Sequence, residues 1–104
     1  MNLDKITELK KFDAAEYLET PEDIALFLAA IFEDSDPKLI AAALGIVARA
    51  KGMTEIAQKS GVTREALYKA LSETGDPKLS TLTRIIDALG LRLSLVPNNT
   101  DKAA

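Results

Sequence analysis

The sequence predicts an all-α fold closed by one short C-terminal β-strand. Apolar residues make up 47% of the chain but aromatics only 5%, with no Trp, so the core must be built from Leu, Ile, Val and Ala. That mix favours helices. Apolar positions recur at helical spacing in successive stretches, and helix start and stop signals stand in order between them. At 104 residues the chain suits one compact domain, whose usual size is roughly 100 to 150 residues.

Taken in order, Asp13 is placed to cap a short turn through Leu18. Thr20, Pro21, Glu22 and Asp23 then supply an N-cap, a first-turn proline and first-turn acids for a helix lined by Ile24, Phe27, Leu28, Ile31 and Phe32. Asp34-Ser35-Asp36-Pro37 stops that helix and starts the next, with Asp36 as cap and Pro37 at the first position. Leu39, Ile40, Ala43, Leu44 and Val47 line the second helix, which ends near Lys51-Gly52. Gly45 inside it costs roughly 1 kcal/mol relative to Ala, which points to close backbone packing there. Two short helices follow, Thr54 to Ser60 and Thr63 to Leu71, and then a loop through Gly75 and Pro77. Ser80 is expected to cap a last helix lined by Leu82, Ile85, Ile86 and Leu89 and closed by Gly90. Leu91, Leu93 and Leu95 alternate with Arg92 and Ser94, the period of a strand, and Pro97 ends it. Residues 98–104 are expected to be disordered.

The absence of Cys and His removes the thiolate nucleophile, the usual general base and the preferred transition-metal ligands. Asp34 and Asp36 are better explained as a helix stop and a cap than as catalytic carboxylates, and no glycine-rich phosphate loop is present. The chain therefore reads as a non-enzyme with no metal and no cofactor. Lys5, Lys10 and Lys11 are not followed by an apolar leader, and the apolar run Leu39 to Ala48 falls far short of the roughly 20 residues of a membrane span. A cytoplasmic protein without membrane contact is expected.

The net charge of −3 conceals a step along the chain. Residues 1–48 hold ten acids and four bases, or −6, whereas residues 49–92 hold eight bases and five acids, or +3. Such a step fits a chain with one half facing phosphate and the other facing water or a basic partner.

The basic half contains the functional constellation, a helix-turn-helix at 53–72. Ala57 is small where two steeply crossing helices touch, Gly61 suits a left-handed turn position, and Ile56, Val62 and Leu67 fill the wedge. Thr63 is placed to cap the second helix. On that helix Thr63, Arg64, Glu65, Tyr68, Lys69 and Ser72 lie away from Ala66, Leu67 and Leu71, which are expected to be buried, and near the end a recognition helix presents to the major groove. Arg64 suits guanine edges, Glu65 suits cytosine, and Tyr68 and Lys69 suit phosphate or a base. Thr54, Gln58 and Lys59 on the first helix complete the DNA-facing set, with helix N-termini at Thr54 and Thr63 available to phosphate and with Lys78 and Arg84 as flanking charge. The plain alternative is a helical hairpin whose outward residues are solvated.

Residues 46–90, through the closing Thr81-Leu82-Thr83-Arg84-Ile85-Ile86-Asp87-Ala88-Leu89-Gly90, resemble the lambda-repressor-like (Xre-type) helix-turn-helix domain of small bacterial regulators. Several blocks, namely Phe12 to Leu18, Pro21 to Ala25, Asp36 to Gly45 and Arg64 to Ser72, resemble the addiction-module antidote proteins, HigA-like antitoxins. The resemblance implies a lambda-repressor-like five-helix DNA-binding domain at 37–90, an N-terminal helical extension at 1–36, the strand at 91–97 and a tail at 98–104. It also implies the antitoxin of a type II toxin-antitoxin pair, which neutralises a small basic toxin of the RelE/HigB kind and represses their shared operon. Arg64-Glu65 stands where many lambda-repressor-like regulators carry a glutamine pair, so the operator sequence does not transfer.

Two surfaces remain open on this reading. The acids of the first half either face a basic toxin or form a soluble exterior. The strand through Leu91, Leu93 and Leu95 either pairs with its copy in a homodimer or packs back on its own chain, since a lone strand is unstable. As for function, an orphan regulator without a toxin, or an interaction module that has lost DNA contact, stands as the alternative.

Overall fold

Local start and stop signals set the helix boundaries in the computed structural model, which describes Ile6 and residues 14–98. The first short helix, α1, spans Ala14–Tyr17, and its expected cap Asp13 lies outside the described residues. Helix α2, Pro21–Phe32, starts as its sequence requires: Thr20 Oγ1 accepts the Asp23 N–H at 3.1 Å and Pro21 occupies the first turn. It buries Ile24 and Leu28 and half-buries Phe27, Ile31 and Phe32 against the same core. Ser35, at φ +55°, turns the chain out of it.

Helix α3, Pro37–Lys51, repeats the device, with the Asp36 carboxylate accepting the Lys38 N–H at 3.1 Å. It buries Leu39, Ala41, Ala42, Ala43, Leu44, Val47 and Ala48, nearly its whole circumference, and packs against α1, α2 and the helix that follows. A helix apolar all round is a central one. Gly45 is the point of closest approach, because a Cβ there would lie 2.9 Å from the Leu71 carbonyl oxygen and 2.8 Å from the Arg49 guanidinium. The expected close packing at Gly45 is what the structure contains.

A single residue, Gly52, joins α3 to α4, Met53–Ser60, which is followed by α5, Arg64–Ala70, and α6, Leu79–Ala88. Helix α4 packs on both α5 and α6. Leu44, Val47, Ile56, Leu67, Leu71, Ile85 and Leu89 meet Ile24 and Leu28 in one aliphatic core, so α2 shares its packing with the helices that follow. Each such side chain contributes about 1.5–3 kcal/mol relative to exposure.

Two expectations are corrected here. Ser80 does not cap α6: the helix starts a residue before it, the cap position falls on Lys78, and no side chain bonds there. Ser80 lies instead within the first turn, where its carbonyl accepts from the Thr83 hydroxyl at 3.1 Å. Residues 91–98 form no strand within this chain. A strand needs a ladder partner, and no described segment supplies one. The end of α6 is closed as expected, with the Gly90 N–H on Asp87 O at 2.9 Å and the Leu91 N–H on Ile86 O at 3.1 Å. This pair of bonds is the Schellman arrangement.

Candidate nucleic-acid interface

Helices α4 and α5 are held at their turn by three small features. Gly61 has φ +76°, and its N–H donates to Ala57 O at 3.0 Å. A Cβ on Gly61 would meet nothing within 4 Å, so conformation alone favours glycine there. Ala57 is buried at the helix contact, Ile56 and Leu67 are buried beneath it, and Val62 is half-buried against the same core. Ser60 is the third feature, and sequence reasoning missed it. Its buried hydroxyl donates to Ala57 O at 3.3 Å and accepts the Val62 N–H at 3.2 Å, bridging the helix end to the turn. Small size beside Gly61 was the available signal, since a compact hydroxyl can satisfy a turn amide.

Thr63 caps α5 as expected: its backbone is extended, and Oγ1 accepts the Ala66 N–H at 3.1 Å. Beyond it Arg64, Glu65, Tyr68 and Lys69 are all exposed. Ala66, expected in the core, is exposed too. The seven-residue α5 has one fully buried side chain, Leu67, flanked by half-buried Ala70 and buried Leu71 at its end, so its buried stripe is too narrow to cover Ala66. Ser72 is half-buried, with its hydroxyl on Lys69 O at 2.9 Å and 3.3 Å from the Thr74 hydroxyl.

The centre of this exposed surface is aromatic. Tyr68 is 41% exposed, and the Arg64 guanidinium lies 5.4 Å from its ring centroid while donating to Tyr68 Oη at 3.3 Å. A second guanidinium, that of Arg49 near the end of α3, lies 5.9 Å from the same ring. Both distances fall within the range of cation–π attraction. Arg49 belongs to the basic half of the sequence, and spacing alone does not place it at the site, because its proximity depends on how the end of α5 comes up against α3.

On α4, Thr54, Gln58 and Lys59 are exposed. Lys59 forms an ion pair with Glu55 at 2.9 Å across one helical turn. The hydrogen bond from Lys59, its charge, and to a lesser degree that of Lys51 hold the Glu55 carboxyl below the ordinary glutamate range. Leu91, Leu93 and Leu95 stand apart from this surface. They line a groove of about 570 Å³ between α2 and residues 91–96, to which no residue of α4 or α5 contributes. Leu91 is half-buried, Leu93 is exposed, and Leu95 is 96% exposed. Glu33 and Arg92 are the charged groups of that groove.

Among the described residues no cluster of three or more His, Cys, Asp or Glu is placed to hold a metal ion, and no helix is long and apolar enough to cross a membrane. A small helical protein with an exposed helix bearing Arg64, Tyr68 and Lys69 and with an acidic first half is what these elements define. The chain belongs to the family described as "Probable addiction module antidote protein", which it matches over residues 8–97. It is 44% identical over 88 residues to an uncharacterized protein of Haemophilus influenzae, across 85% of this chain and 91% of that protein. No solved structure matches it. Membership of an antidote family supports an antitoxin role and, in general terms, a toxin as counterpart.

Proposed function

We propose that this chain is a DNA-binding antitoxin: a sequence-specific repressor of its own operon that neutralises a small basic toxin of the RelE/HigB kind, on a lambda-repressor-like helix-turn-helix. The observation that carries the DNA reading is the exposed end of α5, where the Thr63 cap fixes the start of the helix and Arg64, Glu65, Tyr68 and Lys69 all stand in solvent. A helix end bearing arginine and acid side chains has the donors and acceptors that major-groove base edges require. Thr54, Gln58, Lys59 and Ser72 flank it, with Lys59 as a phosphate partner. The test is titration of a fluorescent duplex from upstream of the chain's own gene at rising salt. The expected result is tight binding at low salt with log affinity falling by about 0.9 per phosphate neutralised for each log unit of salt. No binding at low salt would end the repressor reading.

The last segment supports a homodimer as part of this reading. Leu91, Leu93 and Leu95 lie beside an apolar groove, and the backbone of residues 92–97 makes no ladder with any described segment. Pairing with a second copy would cover both. Two α5 helices would then address half-sites one DNA turn, roughly 34–36 Å, apart. Leu93→Asp with Leu95→Asp should yield monomer by light scattering, and an unchanged mass would remove the dimer reading.

The toxin contact is assigned to the acid-bearing side of α2, where Glu22, Asp23 and Glu33 are exposed. Co-expression with the adjacent reading frame tests it. Co-purification that is lost on Glu22→Lys with Asp23→Lys supports the assignment, and unchanged co-purification removes it.

A further inference from the structure

The reading surface of α5 is not built by α5 alone. Tyr68 lies within cation–π range of two guanidinium groups, that of Arg64 on its own helix at 5.4 Å and that of Arg49 on α3 at 5.9 Å. Only Arg64 also bonds the phenol, through Nη2 to Oη at 3.3 Å. The Arg49 guanidinium passes close over Gly45, where a Cβ would lie 2.8 Å from it. The residue that lets α3 approach the end of α5 thus also leaves room for the side chain that reaches Tyr68.

An arginine on a short exposed helix ordinarily samples many rotamers, and ordering it at a base edge has an entropic cost. A planar ring on one side and a hydroxyl acceptor at one nitrogen restrict those rotamers before DNA arrives. The hydrogen bond to Oη occupies one of five guanidinium N–H donors, which leaves a fork for a guanine O6/N7 edge. The ring can perform this service only if it is itself held, and at 41% exposure its own helix does not enclose it. Arg49, at 5.9 Å from the ring centroid, supplies a second contact from outside that helix.

We propose that Arg49 is a positioning residue for base reading: by stacking on Tyr68 it fixes the ring that orients Arg64 toward the major groove of duplex DNA. The inference rests on the DNA-binding reading above and deepens it, since it assigns base discrimination to a residue outside the helix pair. A lysine at position 49 retains the charge but has no planar face to stack. Charge and stacking therefore separate in one substitution.

The test uses the full chain and duplexes from upstream of its gene, each carrying one base-pair change, with a scrambled duplex as reference. Arg64→Ala identifies the base pair that Arg64 reads, as the position where discrimination falls by roughly tenfold or more. At that position Arg49→Lys and Arg49→Ala should each lose most of the discrimination, while Arg49→Lys binds the scrambled duplex within about twofold of the wild type. Arg49→Ala combined with Arg64→Ala should discriminate no worse than Arg64→Ala alone, because the two act in series. Full discrimination in Arg49→Lys, or losses that add in the double variant, would overturn the inference and leave DNA binding standing. A wild-type chain that binds no duplex overturns both.

Discussion

Gly45 in the middle of α3 sits against the carbonyl of Leu71 at the end of α5, closer than any side chain would allow: a Cβ there would lie 2.9 Å from that oxygen. The neighbour is backbone, so it cannot swing aside as a side-chain tip would. Gly45→Ala should therefore destabilise the fold by about 1–3 kcal/mol, the usual cost of overpacking, even though alanine is the better helix former. Urea unfolding measures it, and a variant as stable as the wild type would show that the two helices are less closely packed than this.

Ser60 makes a prediction of the opposite kind, about a group lost and not a group added. Its hydroxyl is the acceptor for the Val62 N–H in the turn and a donor to Ala57 O. Ser60→Ala leaves that partly buried amide without its partner and should cost about 1–3 kcal/mol in thermal or chemical unfolding. Ser60→Thr retains the hydroxyl and should recover part of the loss.

Glu55 and Lys59 predict a pH dependence. The folded-state pKa of Glu55 is lowered by its bond to Lys59, so the pair's stabilising contribution is present above the unfolded glutamate value and fades as pH falls through the folded value. In Lys59→Met the Glu55 carboxyl, followed by NMR, should titrate nearer the ordinary range. In the same pair, Glu55→Gln should strengthen DNA binding several-fold at low salt, because it removes a negative charge and frees Lys59 for phosphate.

What could be read from the sequence was chemistry confined to a few neighbouring residues. Thr20 with Pro21, Asp36 with Pro37, Gly61, Thr63 and Gly90 each announce a helix end through an atom or a backbone angle supplied within one turn, and each is found in that role. Ser80 misled because a serine shortly before an apolar stripe fits a cap at any of several neighbouring positions. The burial of Ala66 could not be read for a different reason. Seven residues hold barely two turns, and the position of the buried stripe depends on which neighbour the helix rests on.

The candidate site was legible as a set of residues but not as an arrangement. Arg64, Tyr68 and Lys69 followed from spacing, whereas Arg49 meets Tyr68 only because the end of α5 comes up against α3 near Gly45. The alternating leucines after Gly90 carry strand periodicity, but periodicity says nothing about whether a partner strand exists in the same chain. Within this chain none of the described segments provides it.

The chain has no Trp, and its two tyrosines, Tyr17 and Tyr68, both stand outside the core, 59% and 41% exposed. Its ultraviolet emission therefore reports on the surface and not on the packed interior. Tyr17→Phe would leave Tyr68 as the single tyrosine emitter, within about 6 Å of two arginine guanidinium groups, so that this unlabelled variant carries its own optical probe of that surface. Such a probe would register the arrival of a duplex without a dye, while remaining nearly blind to rearrangements of the aliphatic core.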